Sequence, residues 1–150
     1  MDSYIKNIKK ICNLDIIINT FLSDVNNKKI KNVNIRWFNE ILNILNKRKE
    51  KNIKYYIQLF NASKKYNPNL FTYSIILLFI SKYNYLEWKK AYNLLIYMIK
   101  QRVVPNKYHI NPVINAFSKN KNMVLNDLLS IIQIFKKVNF FKPNSSRSES

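Results

Sequence analysis

A proline followed by asparagine recurs along this chain and divides it into units of similar length. The pair begins at Pro68, Pro105 and Pro143, so consecutive pairs are 37 and 38 residues apart. Proline cannot donate a backbone hydrogen bond and keeps the preceding residue out of the α region, so each pair separates two helices. Between the first two pairs lie two helix-like apolar patterns, at 71–80 and 86–100. A two-helix unit recurring at this spacing predicts an internal helical repeat.

Helix-like patterns also fill the rest of the chain. Apolar residues recur every three or four positions in 4–25, 36–47, 53–65 and 108–141. No useful length alternates with a period of two, which argues against strands. The chain is therefore predicted to be all-α, an alpha-alpha superhelix (solenoid) of stacked helical hairpins. The predicted divisions are a degenerate helical flank at 1–34, repeats at 35–69, 70–106 and 107–144, and a disordered tail at 145–150.

The charge balance limits the kind of partner. Twenty-six Lys and Arg residues against eight Asp and Glu give a formal net charge of +18. Such an imbalance attracts polyanions, and it favours nucleic acid or an anionic membrane surface as the partner. The alternative is that the abundant lysine and asparagine only reflect an AT-rich coding sequence. A hydrophobic fraction of 47% argues against outright disorder.

The sequence lacks the usual motifs of catalysis and membrane insertion. Cys12 and His109 are single residues of their types, so a cysteine zinc cage is excluded and a Cys–His nucleophile pair has no other support. The acids do not cluster as a two-metal nuclease requires, and without glycine no Gly-rich phosphate loop can form. We therefore expect no enzyme activity, no cofactor and no metal. We also expect no transmembrane segment and no clear transit peptide.

The absence of glycine also bears on how the helices end. A helix commonly ends on a residue with positive φ, and asparagine tolerates that conformation best after glycine. Three asparagines between helix patterns are predicted to serve in this way, namely Asn84, Asn120 and Asn122.

The first helices of the three predicted repeats align in register, and steps of four residues place the aligned side chains on one helix face. Three aligned positions recur: a small polar residue, a second residue four positions later, and a lysine four positions after that. The small polar residues are Asn39, Ser74 and Asn111, and the residues four positions later are Asn43, Leu78 and Asn115. The lysines are Lys47, Lys82 and Lys119. Stacked repeats would present polar groups backed by a row of lysines, although chance could align three lysines in so lysine-rich a chain.

Residues 68–74, followed by Ser81-Lys82, Ala91, Met98 and Pro105-Asn106, resemble a pentatricopeptide repeat. Repeats of that family are helical hairpins that stack into a superhelix around single-stranded RNA. The resemblance covers about three repeats, 35–144, and it is most specific in the middle one. The spacings of 37 and 38 residues and the absence of glycine depart from the family pattern.

The resemblance implies that each repeat reads one base through two residues, while a third residue at the helix start stacks on that base. The implied base-reading pairs are Asn39 with Asn69, Ser74 with Asn106, and Asn111 with Asn144. The implied stacking residues are Arg36, Phe71 and Tyr108. The lysines that would lie near phosphates are Lys47, Lys82 and Lys119. It also implies a mitochondrial or plastid-type location, with a cytoplasmic location as the alternative, and a role in organellar RNA processing, stability or translation. Single-stranded RNA would be the partner, together with other organellar RNA-processing or ribosomal proteins.

Each implied reading residue has a structural alternative. Asn69 and Asn106 follow proline and precede a helix, which makes them good N-caps. Asn111 precedes Pro112 and is a third candidate cap, because proline favours the first helical position. Asn39 and Ser74 fall inside helices, where both residue types are poor helix formers, so binding is the better explanation for them.

Two other functions compete with RNA binding. One is a protein-binding helical-repeat adaptor, similar to tetratricopeptide or organellar ribosome-associated proteins. That class usually has small residues in the first helix, where this chain has Ile76, Leu77 and Phe79. The other is binding to an anionic membrane surface through the basic N-terminal helices.

Overall fold

The computed structural model describes residues 2–83, 85–119, 129, 130, 132, 133 and 136. Within these residues the chain is all-α, as predicted, and contains no strand. The helices are α1 (Asp2–Lys9), α2 (Leu14–Asn26), α3 (Ile35–Lys47), α4 (Ile53–Ser63), α5 (Leu70–Tyr83), α6 (Trp88–Lys100) and α7 (Lys107–Ser118). Short 3₁₀ turns at Lys64–Tyr66 and Tyr85–Glu87 follow α4 and precede α6.

The chain divides into two compact units, Met1–Ile76 and Leu77–Ser150. The division falls inside α5, so the first half of that helix belongs to the first unit and the second half to the second. The predicted repeat 35–69 contains α3 and α4, repeat 70–106 contains α5 and α6, and repeat 107–144 begins with α7. The predicted tail lies outside the described residues.

The first unit is built around α3, which packs against α1 and α4, while α2 also packs against α4. Phe21 of α2 and Phe38 of α3 are fully buried and meet edge to face, with ring centroids 5.1 Å apart. Burying an aromatic or branched side chain of this size stabilises a fold by about 1.5–3 kcal/mol. The Tyr4 hydroxyl donates to Asp24 at 2.7 Å and ties α1 to α2. Burial and this hydrogen bond raise the pKa of Tyr4 above its ordinary value.

The second unit is built on the packing of α6 against α7. Trp88, Ala91, Leu95 and Met98 are the buried residues of α6, which confirms the face that the sequence periodicity predicts. Trp88 meets Phe117 of α7 edge to face, with ring centroids 4.8 Å apart. The apolar spacing of α6 therefore identifies the contact that holds this unit together.

Basic residues, rather than asparagine alone, take the left-handed conformation at the helix ends. Lys28, Lys49 and Arg102 have φ of 57°, 57° and 64°, and each follows the C-cap residue of its helix, α2, α3 or α6. In each case the next amide donates to a carbonyl five residues back, which closes a Schellman motif. Asn32 and Asn67 also have positive φ. The predicted turn residues Asn84, Asn120 and Asn122 lie outside the described residues.

Among the helices of the described ranges, none combines the length and apolarity needed to cross a bilayer.

Candidate nucleic-acid interface

Five of the described helices, α2, α3, α4, α5 and α7, begin after an asparagine whose side-chain oxygen accepts a hydrogen bond from an amide of the first turn. In α3, α4, α5 and α7 that amide lies two residues after the asparagine; in α4 it belongs to Lys54, and in the other three it belongs to the predicted stacking residue. The capping pairs are Asn34 with Arg36 at 2.9 Å, Asn69 with Phe71 at 3.1 Å, and Asn106 with Tyr108 at 2.8 Å. The cap is therefore shared by most of the described helices, and α3, α5 and α7 are distinguished by the flat side chain at their second position.

The three predicted stacking residues occupy equivalent, exposed positions. Arg36, Phe71 and Tyr108 are each the second residue of their helix. Phe71 is 52% exposed, Tyr108 is 66% exposed, and Arg36 is exposed as well. Large flat side chains are normally buried or covered, so their exposure at the same place on three helices leaves them available to a ligand.

The first predicted reading pair does meet. Asn39 Nδ2 donates to Asn69 Oδ1 at 3.1 Å, although the two residues are 30 positions apart in the chain. Asn39 Oδ1 in turn accepts a hydrogen bond of 2.6 Å from the Thr72 hydroxyl. Asn39 is only 8% exposed, and Asn69 also caps α5. Both asparagines therefore hold α3 to the start of α5, and Asn39 presents little surface for a base.

The second predicted pair consists of Ser74 and Asn106, one in each unit. Ser74 is half-buried, and its hydroxyl donates to the Phe71 carbonyl at 2.9 Å in the preceding turn of α5. Asn106 forms a capping box with His109: its side chain caps α7, while its own amide donates to His109 Nδ1 at 3.0 Å. The capping interpretation of Asn69 and Asn106 is thus confirmed.

Asn111 belongs to the body of α7, so the interpretation that it caps a helix is wrong. The cap is Asn106, and α7 begins at Lys107, which places Pro112 well inside the helix. Asn111 is exposed, whereas Pro112 is buried. The exposed amide of Asn111 has no capping role and can hydrogen-bond a ligand. Its predicted partner Asn144 lies outside the described residues.

The three lysines of the register are exposed, but their surroundings differ. Lys47 lies at the end of α3 beside an open cleft, and Lys82 lies near the end of α5. Lys119 donates from Nζ to the Ser81 carbonyl at 3.3 Å. Asn115, four residues before it, donates to the Ser81 hydroxyl at 3.1 Å. Lys119 therefore contributes to packing as well as to the charge of the surface.

Three residues that support the candidate interface are not identified by the sequence interpretation. Asn34 directly precedes an apolar helix pattern, which is an N-cap signature that a sequence reading can find. Thr72 and Ser81 are buried hydroxyls that satisfy Asn39 and Asn115 through contacts distant in the sequence. No local signal marks those partners, because only the folded chain brings them together.

A scan against protein-family models, a search of curated proteins and a search of solved structures each found no match. The pentatricopeptide resemblance therefore stays a prediction based on the residues themselves.

Proposed function

We propose that this chain binds single-stranded RNA through α3, α5 and α7 and performs no catalysis. The observation that carries the proposal is the recurrence, on three helices, of an asparagine cap followed by an exposed flat side chain. Aromatic rings and the guanidinium plane stack on nucleobases whatever the base, and such stacking contributes roughly 1–3 kcal/mol per base. The net charge of +18 supplies the attraction to phosphate that single-strand binding requires.

Polar groups near two of the exposed flat side chains, those on α5 and α7, support the same proposal. On α7, Asn111 lies three residues after Tyr108, which places both side chains on one face of the helix. On α5, Ser74 has the same spacing from Phe71. A ligand base stacked on the ring would bring its hydrogen-bonding edge near this polar group.

The finer parts of the proposal depend on the register and the resemblance. They are the stacking of the repeats into a superhelix, membership of the pentatricopeptide family, and a role in organellar RNA processing, stability or translation. Asn69, Asn106 and Asn144 remain in the proposal as base-proximal residues, and the first two also serve as helix caps. Asn39 remains as the buried residue that holds Asn69. Other organellar RNA-processing or ribosomal proteins are the further partners that this role would require.

The test is the salt dependence of RNA binding. In the triple variant Lys47→Ala, Lys82→Ala and Lys119→Ala, affinity should fall for every RNA homopolymer. The slope of log affinity against log salt should flatten by roughly two units, because each of the three phosphate-contacting lysines contributes about 0.7 on a single strand. Fluorescence anisotropy with labelled homopolymers across a salt series gives both quantities.

A variant with the same loss of charge elsewhere is the control. Lys29, Lys54 and Lys89 are exposed and lie outside the register, so changing all three to alanine should alter the slope much less. Equal salt slopes in the two triple variants would show that RNA binding depends on net charge and not on the positions of Lys47, Lys82 and Lys119. If the parent chain does not bind RNA at any salt concentration, the protein-binding adaptor becomes the better proposal.

A further inference from the structure

An open cleft of about 190 Å³ lies in the first unit, where the end of α1 meets the end of α3. Its lining is Lys9, Asn43, Ile44, Lys47 and Arg48. Three of the five are cations and one is an amide that can donate hydrogen bonds. A water molecule takes up about 30 Å³ in the liquid, so the cleft has room for a much larger polar group.

Arg48 is held rigidly at the edge of this cleft. Its Nη1 donates to the carbonyls of Ile11 and Cys12 at 2.9 and 3.1 Å, and its Nη2 donates to the Lys9 carbonyl at 2.9 Å. These bonds satisfy carbonyls of the last residue of α1 and of the segment after it, and they fix the guanidinium of the α3 C-cap against that segment. A fixed cation reduces the entropy that is lost on binding an anion.

The charges around the cleft do not cancel. Lys9 pairs with Glu40 at 3.5 Å, which offsets one of the three cations. Within the described ranges, no carboxylate pairs with Lys47. Three positive charges against one negative charge leave a surplus of two. A phosphate monoester near neutral pH carries a charge of about −1.5 to −2, which matches this surplus better than the single charge of a phosphodiester.

We propose that this cleft binds a phosphate monoester dianion, with Lys9 and Lys47 as charge partners, Asn43 as a hydrogen-bond donor and Arg48 as the fixed wall. The identification of the natural ligand as the terminal phosphate of an RNA strand rests on the proposed function. Free phosphate has the same chemistry, so the experiment separates the two sources.

The first measurement uses inorganic phosphate and does not depend on RNA. Phosphate should shift the backbone amide resonances of Asn43, Lys47 and Arg48 saturably in a ¹⁵N-edited NMR titration. A hydrogen bond to a charged group contributes roughly 1.5–3 kcal/mol, so Lys9→Gln combined with Lys47→Gln should weaken this binding at least about tenfold. Lys54→Gln, on the exposed surface of α4, should leave it unchanged. Absent or unsaturable shifts in the parent would overturn the cleft as an anion site.

The second measurement compares short RNA strands that carry a 5′-phosphate, a 3′-phosphate or hydroxyls at both ends. The parent should bind one phosphorylated form roughly tenfold more tightly than the hydroxyl form, and the double variant should lose that preference. Equal affinity for all three strands, alongside saturable phosphate binding, would overturn the RNA terminus and leave free phosphate as the ligand. Saturable phosphate binding without any RNA binding would instead reject the proposed function and keep the cleft.

Discussion

Helices α3 and α7 each have a small polar residue near the start and a lysine eight positions later. In α3 the early polar residue packs within the protein, whereas in α7 the late lysine does. In α3 the early residue Asn39 is buried against Thr72, while Lys47 at the other end borders an open cleft. In α7 the early residue Asn111 is exposed, while Lys119 at the other end donates to the Ser81 carbonyl. Equivalent positions in the sequence therefore have different structural duties.

On the proposed function, this difference means that one register serves stability at some positions and binding at others. A polar side chain buried in a helix contact is stabilising only when its partners are present, as they are for Asn39. The same kind of side chain left exposed contributes little to folding and remains available to a ligand. On the proposed function, α3 contacts RNA mainly through Arg36 and the basic end, and α7 contacts it mainly through Tyr108 and Asn111.

The largest expected effect is on stability, and it distinguishes Asn39 from Asn111. Asn39→Ala removes two hydrogen bonds between α3 and the start of α5, those to Thr72 and Asn69, although the Thr72 hydroxyl keeps Asn69 Oδ1 as an acceptor at 3.0 Å. At about 0.5–1.5 kcal/mol for each bond, the free energy of unfolding should fall by about 1–3 kcal/mol. Asn111→Ala should stay within about 0.5 kcal/mol, because the side chain is exposed and alanine favours helix. The measurement is urea denaturation of each variant.

Each unit contains one tryptophan, which allows the two effects to be followed separately. Trp37 is buried in the first unit and Trp88 in the second. Asn39→Ala is measured in a Trp88→Phe background and Asn111→Ala in a Trp37→Phe background, each against its own parent. Equal losses at the two sites would mean that α3 and α7 do not differ in the way described above.

The second prediction concerns base preference and should show the reverse pattern. Asn111→Ala removes an exposed amide, and a neutral hydrogen bond contributes about 0.5–1.5 kcal/mol. The ratio of affinities for oligouridine and oligoadenosine should therefore change roughly two- to tenfold. Asn39→Ala, measured at a temperature where it remains folded, should leave that ratio unchanged. A change in the ratio only for Asn39→Ala would assign base reading to the buried pair.

The helices could be predicted from the sequence, because the buried face of a helix requires an apolar residue every three or four positions. The spacing of Trp88, Ala91, Leu95 and Met98 predicts the buried face of α6, and Pro68 predicts the break before α5. The capping roles of Asn69 and Asn106 were also accessible, since a cap depends only on its neighbours in the chain.

The surroundings of the site residues were harder to predict, because they depend on partners far apart in the sequence. Asn39 and Thr72 are separated by 33 positions, and no local pattern indicates that Asn39 is satisfied within the protein. Its place inside a helix favours a binding role until the tertiary contact is known. The left-handed residues are a second example, since Lys49 takes the conformation for which asparagine is the usual substitute.

The smallest expected effect concerns the ends of the same two helices. Lys49 follows α3 with φ of 57°, whereas Lys119 at the end of α7 has φ of −81°. A residue with a Cβ atom loses about 1–2 kcal/mol in the left-handed region, and glycine avoids this at an entropic cost of about 0.5–1 kcal/mol. Lys49→Gly should therefore stabilise the first unit by about 0.5–1 kcal/mol.

Lys119→Gly is the matched substitution and should act in the opposite direction. Its backbone is not left-handed, so glycine gains nothing there, adds chain entropy to the unfolded state and removes the hydrogen bond to the Ser81 carbonyl. The second unit should lose about 0.5–1.5 kcal/mol. Urea denaturation of the two single-tryptophan backgrounds measures both values. Changes of the same sign would contradict the prediction, which depends on the left-handed backbone at Lys49 and on the helical backbone and side-chain hydrogen bond at Lys119.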